Sequence, residues 1–272
     1  MLITFRPLFT TFAMIIWAAC QAGVAFAQGS DADLAKKLSN PIASLISVPL
    51  QYNFDQNIGP SDSGARHVLN VQPVVPISLN GDWNLISRTI VPILSQDDVF
   101  PGAGDQFGLG DTVQSLFFSP KAPTAGGIIW GVGPVLLLPT ATDELLGTEK
   151  LGVGPTIVAL TQKQGWTVGA LANHLWSVAG DSNRSDVNST FIQPFVTYTT
   201  PTALTVGLNT ESTYNWETNE WSVPINLSVT QLIKLGGQPI SIGGGVRYWA
   251  ESSTGGPEGF GARAILTFLF PK

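Results

Sequence analysis

The stretch WSVPINLSVT (221–230) puts Trp221, Val223, Ile225, Leu227 and Val229 on one face of an extended chain. Ser222, Asn226, Ser228 and Thr230 take the other. Side chains on a strand alternate with a period of two, so the pattern predicts a strand with one apolar and one polar face. The same reading extends outward from it. Leu204, Val206 and Leu208 oppose Thr205, Gly207, Asn209 and Glu211, and Val48, Leu50, Tyr52 and Phe54 oppose Gln51, Asn53 and Asp55. Leu69, Val71, Val75, Ile77 and Leu79 alternate with Asn70, Gln72 and Ser78. Segments of about ten residues fit a tilted strand that crosses a bilayer. Carried along the chain, the pattern predicts twelve strands, near 46–57, 66–79, 83–94, 109–119, 128–138, 151–162, 166–177, 189–199, 203–214, 220–232, 240–250 and 259–270. The third, fifth and seventh are apolar on both faces, so alternation does not fix their register.

The connections sort into two classes that alternate. Short or Gly-rich links follow the even strands: NGD (80–82), PKAPTAGG (120–127), KQG (163–165), TTPT (199–202) and KLGGQP (234–239). Mostly longer ones, such as SQDDVFPGAGDQFG and PTATDELLGTEK, follow the odd strands. Short periplasmic turns and long outer loops are the habit of outer-membrane barrels. Aromatic residues fall near both predicted ends: Trp83, Phe118, Trp130, Trp166, Tyr198 and Phe268 at one, and Tyr52, Phe54, Trp176, Phe191, Tyr214, Trp221, Tyr248 and Phe260 at the other. Their amphipathic rings favour a membrane interface. The outer loops are acidic, with only Arg66, Lys150 and Arg184 against a series running from Asp62 to Glu258. The expected fold is therefore all-β: a transmembrane antiparallel up-and-down barrel of about twelve strands, over residues 46–272.

Composition agrees. Charged residues make up 12% of the 272, against about 25% in an ordinary soluble domain. Residues 1–27 carry Arg6, then a long apolar run, then Ala25-Phe26-Ala27. That is the layout of a cleavable signal peptide, which points to export. Cleavage after Ala27 removes Cys20, the only cysteine, so no disulfide or thiolate metal site is expected. Beyond residue 27 no apolar run reaches the roughly 18 residues that a transmembrane helix needs. Residues 28–45 differ from the rest. Asp31 or Asp33 can cap a short helix with Leu34 and Leu38 one turn apart, ended by Pro41. Three placements are open to it: the periplasmic rim, a plug in the lumen, or a tether outside.

The charges inside predicted strands are Asp55, Arg88, Asp111, Glu211, Arg247 and Arg263. An Arg on the lipid face near mid-membrane costs about 2–4 kcal/mol, so all six are expected to face the lumen. There they would line a pore or fill it as ion pairs. Closure of the barrel would set Asp55 beside the last strand, which suggests an Arg247–Arg263–Asp55 cluster. No catalytic site is expected. His67 and His174 are the only histidines, and His174 and Ser177, three apart on a strand, point to opposite faces. GVGP occurs at 131–134 and 152–155, inside strands and not before a helix, so neither is a phosphate loop. No calcium-loop spacing and no basic patch occur, so neither a metal or other cofactor nor nucleic acid is an expected partner.

Four runs, LAKKLSNPIASLISVPLQYNFD (34–55), GLGDTVQSLFFSPK (108–121), WGVGPVLLLPTAT (130–142) and GGGVRYWAESSTGGPEGFGAR (243–263), resemble the outer-membrane family named for the meta-pathway of phenol degradation. The similarity extends over nearly all of the chain after residue 27. It is a pattern of framework positions, not a catalytic signature. It implies an outer-membrane barrel that helps apolar or aromatic compounds cross. The C-terminus departs from the habit of ending on Phe, because Pro271 and Lys272 follow Phe270. The expected function is a narrow diffusion channel for small apolar or aromatic molecules, with outer-membrane lipids and lipopolysaccharide as its surroundings. A sealed surface-interaction barrel and a membrane hydrolase are the alternatives.

Overall fold

A computed structural model describes residues 28–271; the signal-peptide reading of 1–27 lies outside them. Among the described residues, helix α1 (Gln28–Leu38) is followed by fifteen strands. They are β1 (Ile46–Ile58), β2 (Gly64–Val71), β3 (Val74–Ser78), β4 (Trp83–Asp97) and β5 (Gln106–Leu109). Next come β6 (Thr112–Pro120), β7 (Ile128–Leu138), β8 (Lys150–Lys163), β9 (Trp166–Gly180) and β10 (Asn188–Thr199). The last are β11 (Leu204–Thr210), β12 (Ser212–Asn215), β13 (Glu220–Leu235), β14 (Gln238–Glu251) and β15 (Gly259–Phe270). Every pairing is antiparallel, each stave of the wall pairs with the next, and β1 pairs β15 to close the ring. Three staves are interrupted, β2/β3, β5/β6 and β11/β12, so the fifteen strands make a closed barrel of twelve staves.

The interruptions have local causes. Pro73 lies in the gap between β2 and β3, and has no N–H to give the ladder. Gln193, beside Pro194, and Pro224 flank the gap at Glu211 on its two neighbours, and Pro224 likewise lacks an N–H there. At Gly110–Asp111 the register slips by one residue, from Ile93↔Leu109 to Ile90↔Val113. That is a β-bulge. It reverses the parity, so Gln106 and Gly108 face inward on β5 while Val113, Ser115, Phe117 and Ser119 do so on β6.

The wall is apolar outside. Ile225, Leu227, Val229, Ile242, Val246 and Ile157 are exposed large hydrophobics in the middle of their staves. Inward neighbours such as Asn53, Asp55, Asn226, Ser241, Arg247 and Arg263 are buried. This is the inside-out pattern of a transmembrane barrel. Rings cluster at both ends, as Trp83–Trp130 and Trp166–Tyr198 at the short-turn end and as Tyr214–Trp221 and Tyr248–Phe260 at the loop end. Tyr52 Oη lies 2.7 Å from His67 Nδ1 in the same loop-end row. One expectation fails. Phe191 faces inward, because it sits opposite the inward Thr213 and Asn173, and it packs in the lumen.

Two hairpins turn in two residues, Gln164-Gly165 and Gly236-Gly237, all four with positive φ. That is the twist-matched geometry that tight hairpins favour. The GVGP glycines serve close approach. A Cβ on Gly133 would lie 1.8 Å from the Leu116 carbonyl oxygen, and one on Gly154 1.6 Å from that of His174.

Candidate functional site

The lumen has two unlike walls. On one side Ile86 (β4), Phe117 (β6), Val158 and Leu160 (β8) and Leu171 (β9) form a buried apolar cluster. Ile129 (β7) and Phe191 and Phe195 (β10) pack against it, and Ile42, which follows α1, reaches into it. This wall explains why β4, β7 and β9 read as apolar on both faces: one face meets lipid, the other meets this cluster.

The opposite wall, carried by β11 to β15 and β1 to β4, is polar. Asp55 accepts a 2.8 Å hydrogen bond from Trp249 Nε1 and lies 3.4 Å from Arg247 Nε. That Nε donates no hydrogen bond, and the guanidinium carbon sits 4.6 Å from the Trp249 ring centroid. Arg263 grips Glu211 with two bonds, Nη1 at 3.0 Å and Nη2 at 2.7 Å, and its Nε donates to Asn53 Oδ1 at 2.7 Å. Two staves, β13 and β14, lie between these partners in the sheet, so the pair bridges across the curve of the lumen. Asn226 Nδ2 donates to Asn209 Oδ1 at 2.8 Å within the same arc. Bidentate arginine–carboxylate pairs combine strength with fixed geometry.

The six charges picked out by alternation are therefore distributed unequally. Asp55, Arg247, Arg263 and Glu211 meet in one girdle. Arg88 stands apart from any carboxylate pairing and donates to Gln72 Oε1 at 3.1 Å. Asp111 joins none of them. It sits at the β5–β6 bulge, where it accepts from the backbone N and Oγ1 of Thr148, both at 2.6 Å, and from the Ala141 N at 3.2 Å. Its role there is to tie down loop 139–149. The proposed triple cluster is altered in one respect: Arg263 pairs with Glu211 and Asn53, not with Asp55. The sequence reading missed Arg66, which it had placed in a loop. Arg66 lies on β2 opposite Asp55 and donates to Gln96 Oε1 at 3.0 Å. The predicted strand 66–79 already began at this residue, and counting it with the loop charges hid it.

Helix α1 stands in the short-turn mouth. Ala35, with Leu34 and Leu38, packs on Ala203, Leu232 and Leu269. Asp31 pairs with Lys234 at 2.6 Å, and the Lys36 carbonyl accepts from Gln162 Nε2 at 2.7 Å. Asp31 in the first turn and Lys36 and Lys37 in the last suit the helix dipole. Two cavities flank its C-terminal end, with about 540 and 760 Å³ of empty space, part of it open to solvent. Leu38, Pro49 and Gln72 line both.

At the loop end a second set of contacts closes over the apolar wall. Buried Lys150 meets Asp186 at 2.9 Å, and Ser177 Oγ donates to the same carboxylate oxygen at 3.1 Å. Arg184 Nη2 donates to the carbonyls of Glu144 (2.7 Å) and Gly147 (2.6 Å). The hydrogen bonds from Lys150 and then Ser177 hold the Asp186 carboxyl below its ordinary pKa. His174 faces outward, with Nδ1 2.7 Å from Thr190 Oγ1, while Ser177 turns to Asp186, so the two do not meet.

No protein-family model and no curated relative matches the chain. Among solved structures it is similar to an outer-membrane channel from Pseudomonas putida F1, with TM-score 0.67, 13% identity, 84% of this chain covered and 96% of that one. The β domain of the Bordetella autotransporter BrkA follows at TM-score 0.46 and 12% identity, covering 84% of this chain and 100% of that one. At 13% identity the first likeness is one of architecture, and the chain shares its fold with an outer-membrane channel.

Proposed function

We propose that this barrel sits in the outer membrane, reached through a signal peptide at 1–27, and acts as a passive channel for small apolar or aromatic molecules. The observation that carries this reading is the open space inside the barrel: two cavities of about 540 and 760 Å³ of empty space, bordered by both apolar and polar side chains, flank the helix that narrows the mouth. The resemblance to the phenol meta-pathway family and the fold shared with an outer-membrane channel favour the same role. The rings at both ends would then contact lipid on one side and lipopolysaccharide on the other.

Uptake of N-phenyl-1-naphthylamine, an apolar aromatic dye that an intact lipopolysaccharide leaflet excludes, tests this in cells. Cells producing the protein should gain fluorescence several-fold faster than cells without it. Equal rates would favour the sealed, surface-interaction barrel.

A further inference from the structure

We propose that the cavity lined by Arg88 and Lys37 binds the carboxylate head of an amphipathic organic acid whose apolar body lies against Leu38, Leu45 and Val74 of the same cavity. The inference deepens the channel reading and rests on it, because it names the class of molecule that passes.

The first argument is charge. The lumen wall carries four arginines, Arg66, Arg88, Arg247 and Arg263, against the two carboxylates Asp55 and Glu211. Both carboxylates are engaged, Glu211 by Arg263 and Asp55 by Arg247 and Trp249. Among the described residues no carboxylate lies within ion-pair distance of Arg88, whose one hydrogen bond goes to neutral Gln72. Lys37 of α1 lines the same cavity, and neither cavity beside the helix has a carboxylate in its lining. Glu211 acts on Arg88 only from beyond ion-pair distance and is itself gripped by Arg263; a partly buried guanidinium without a carboxylate in contact is costly, and an anion relieves that cost.

The second argument is position. Arg88 stands where the two walls join. Ile86 is the next inward residue on β4, Phe117 is opposite Ile86 on β6, and Val74 is opposite Arg88 on β3. Ile86 and Phe117 are sealed inside the apolar cluster, and Val74, at its edge, lines the Arg88 cavity together with Leu38, Pro41 and Leu45. A bare inorganic anion would satisfy Arg88 and leave those apolar side chains uncovered, and a neutral hydrocarbon would do the reverse. A carboxylate attached to a ring or chain meets both.

Quenching of intrinsic tryptophan fluorescence, measured on the purified full chain in detergent, tests the site without requiring passage. Benzoate should bind at least about tenfold more tightly than benzyl alcohol, the scale of one charge-assisted hydrogen bond. Benzylammonium should bind more weakly still. Arg88→Gln should bring benzoate down to the level of benzyl alcohol, Arg88→Lys should keep most of the preference, and Arg184→Gln, at the opposite, loop end of the barrel, should change nothing. If Arg88→Gln does not fold, the wild-type ranking of the three ligands decides alone. Equal or tighter binding of benzyl alcohol overturns the proposal, as does a benzoate preference that survives in folded Arg88→Gln. Benzoate binding with no dye uptake in cells would remove the channel reading and leave the site; dye uptake with no benzoate preference would do the opposite.

Discussion

Arg263 and Glu211 form the tightest buried ion pair inside the wall, 3% and 19% exposed at the side chain. Removing one partner of such a pair strands the other charge, a loss of about 3–5 kcal/mol, whereas replacing both by apolar groups of similar volume is often close to neutral. Arg263→Leu should therefore lower the temperature at which the heat-modifiable gel band converts, and Arg263→Leu with Glu211→Leu should recover much of the loss. A double variant as unstable as the single would show that the pair is not the stabilising unit. Asp186 gives a prediction in pH. Its folded pKa is depressed, so its contribution is present above the unfolded value of 3.8 and is lost as pH falls through the lower folded value. Protection of loop 181–187 from protease should persist at neutral pH and fail only below about pH 4. Asp186→Asn should expose the loop at neutral pH, and an unchanged cleavage rate would count against the Lys150 clamp. Alternation reads the parity of a charge at this scale but not its partner. Arg263 finds Glu211 two staves away because of the curvature and stagger of the barrel, which no local pattern encodes.

At the scale of elements, most strands were legible because lipid outside and polar groups inside impose a clean period of two. β4, β7 and β9 were located too, but their register was not legible, since the apolar lumen wall makes both of their faces apolar. The bulge at Gly110–Asp111 was hidden for a related reason: a slip of one residue leaves composition unchanged and only reverses parity. Helix α1 was readable as a helix from its Leu34–Leu38 spacing, but it starts at Gln28, so neither Asp31 nor Asp33 is its cap, and its place was not readable. That depends on Leu232, Leu269 and Ala203, which are distant in sequence and meet only in the closed ring. The glycines of β7 and β8 allow a sharper statement. Gly133→Ala or Gly154→Ala would drive a methyl into a neighbouring carbonyl, so each should cost about 1–3 kcal/mol. Gly126→Ala, in an open turn with only a distant Thr124 contact, should cost far less in the same unfolding assay.

For the whole molecule, twelve staves leave a thin lumen, well short of the aqueous channel of 16–18-stranded porins. The girdle narrows it further, and α1 occupies the short-turn mouth. Strand number, loop alternation and the ring of aromatics at each end were legible because a bilayer dictates all three along the full length of the chain. The width of the passage was not, because it is set by side chains and a helix that meet inside. Single-channel conductance in planar bilayers tests most directly whether this lumen is a passage narrowed by α1. The protein should show a small conductance, and a variant lacking residues 28–45 should show one several-fold larger. Silence from both, with the barrel correctly folded, would contradict the claim and describe a sealed wall.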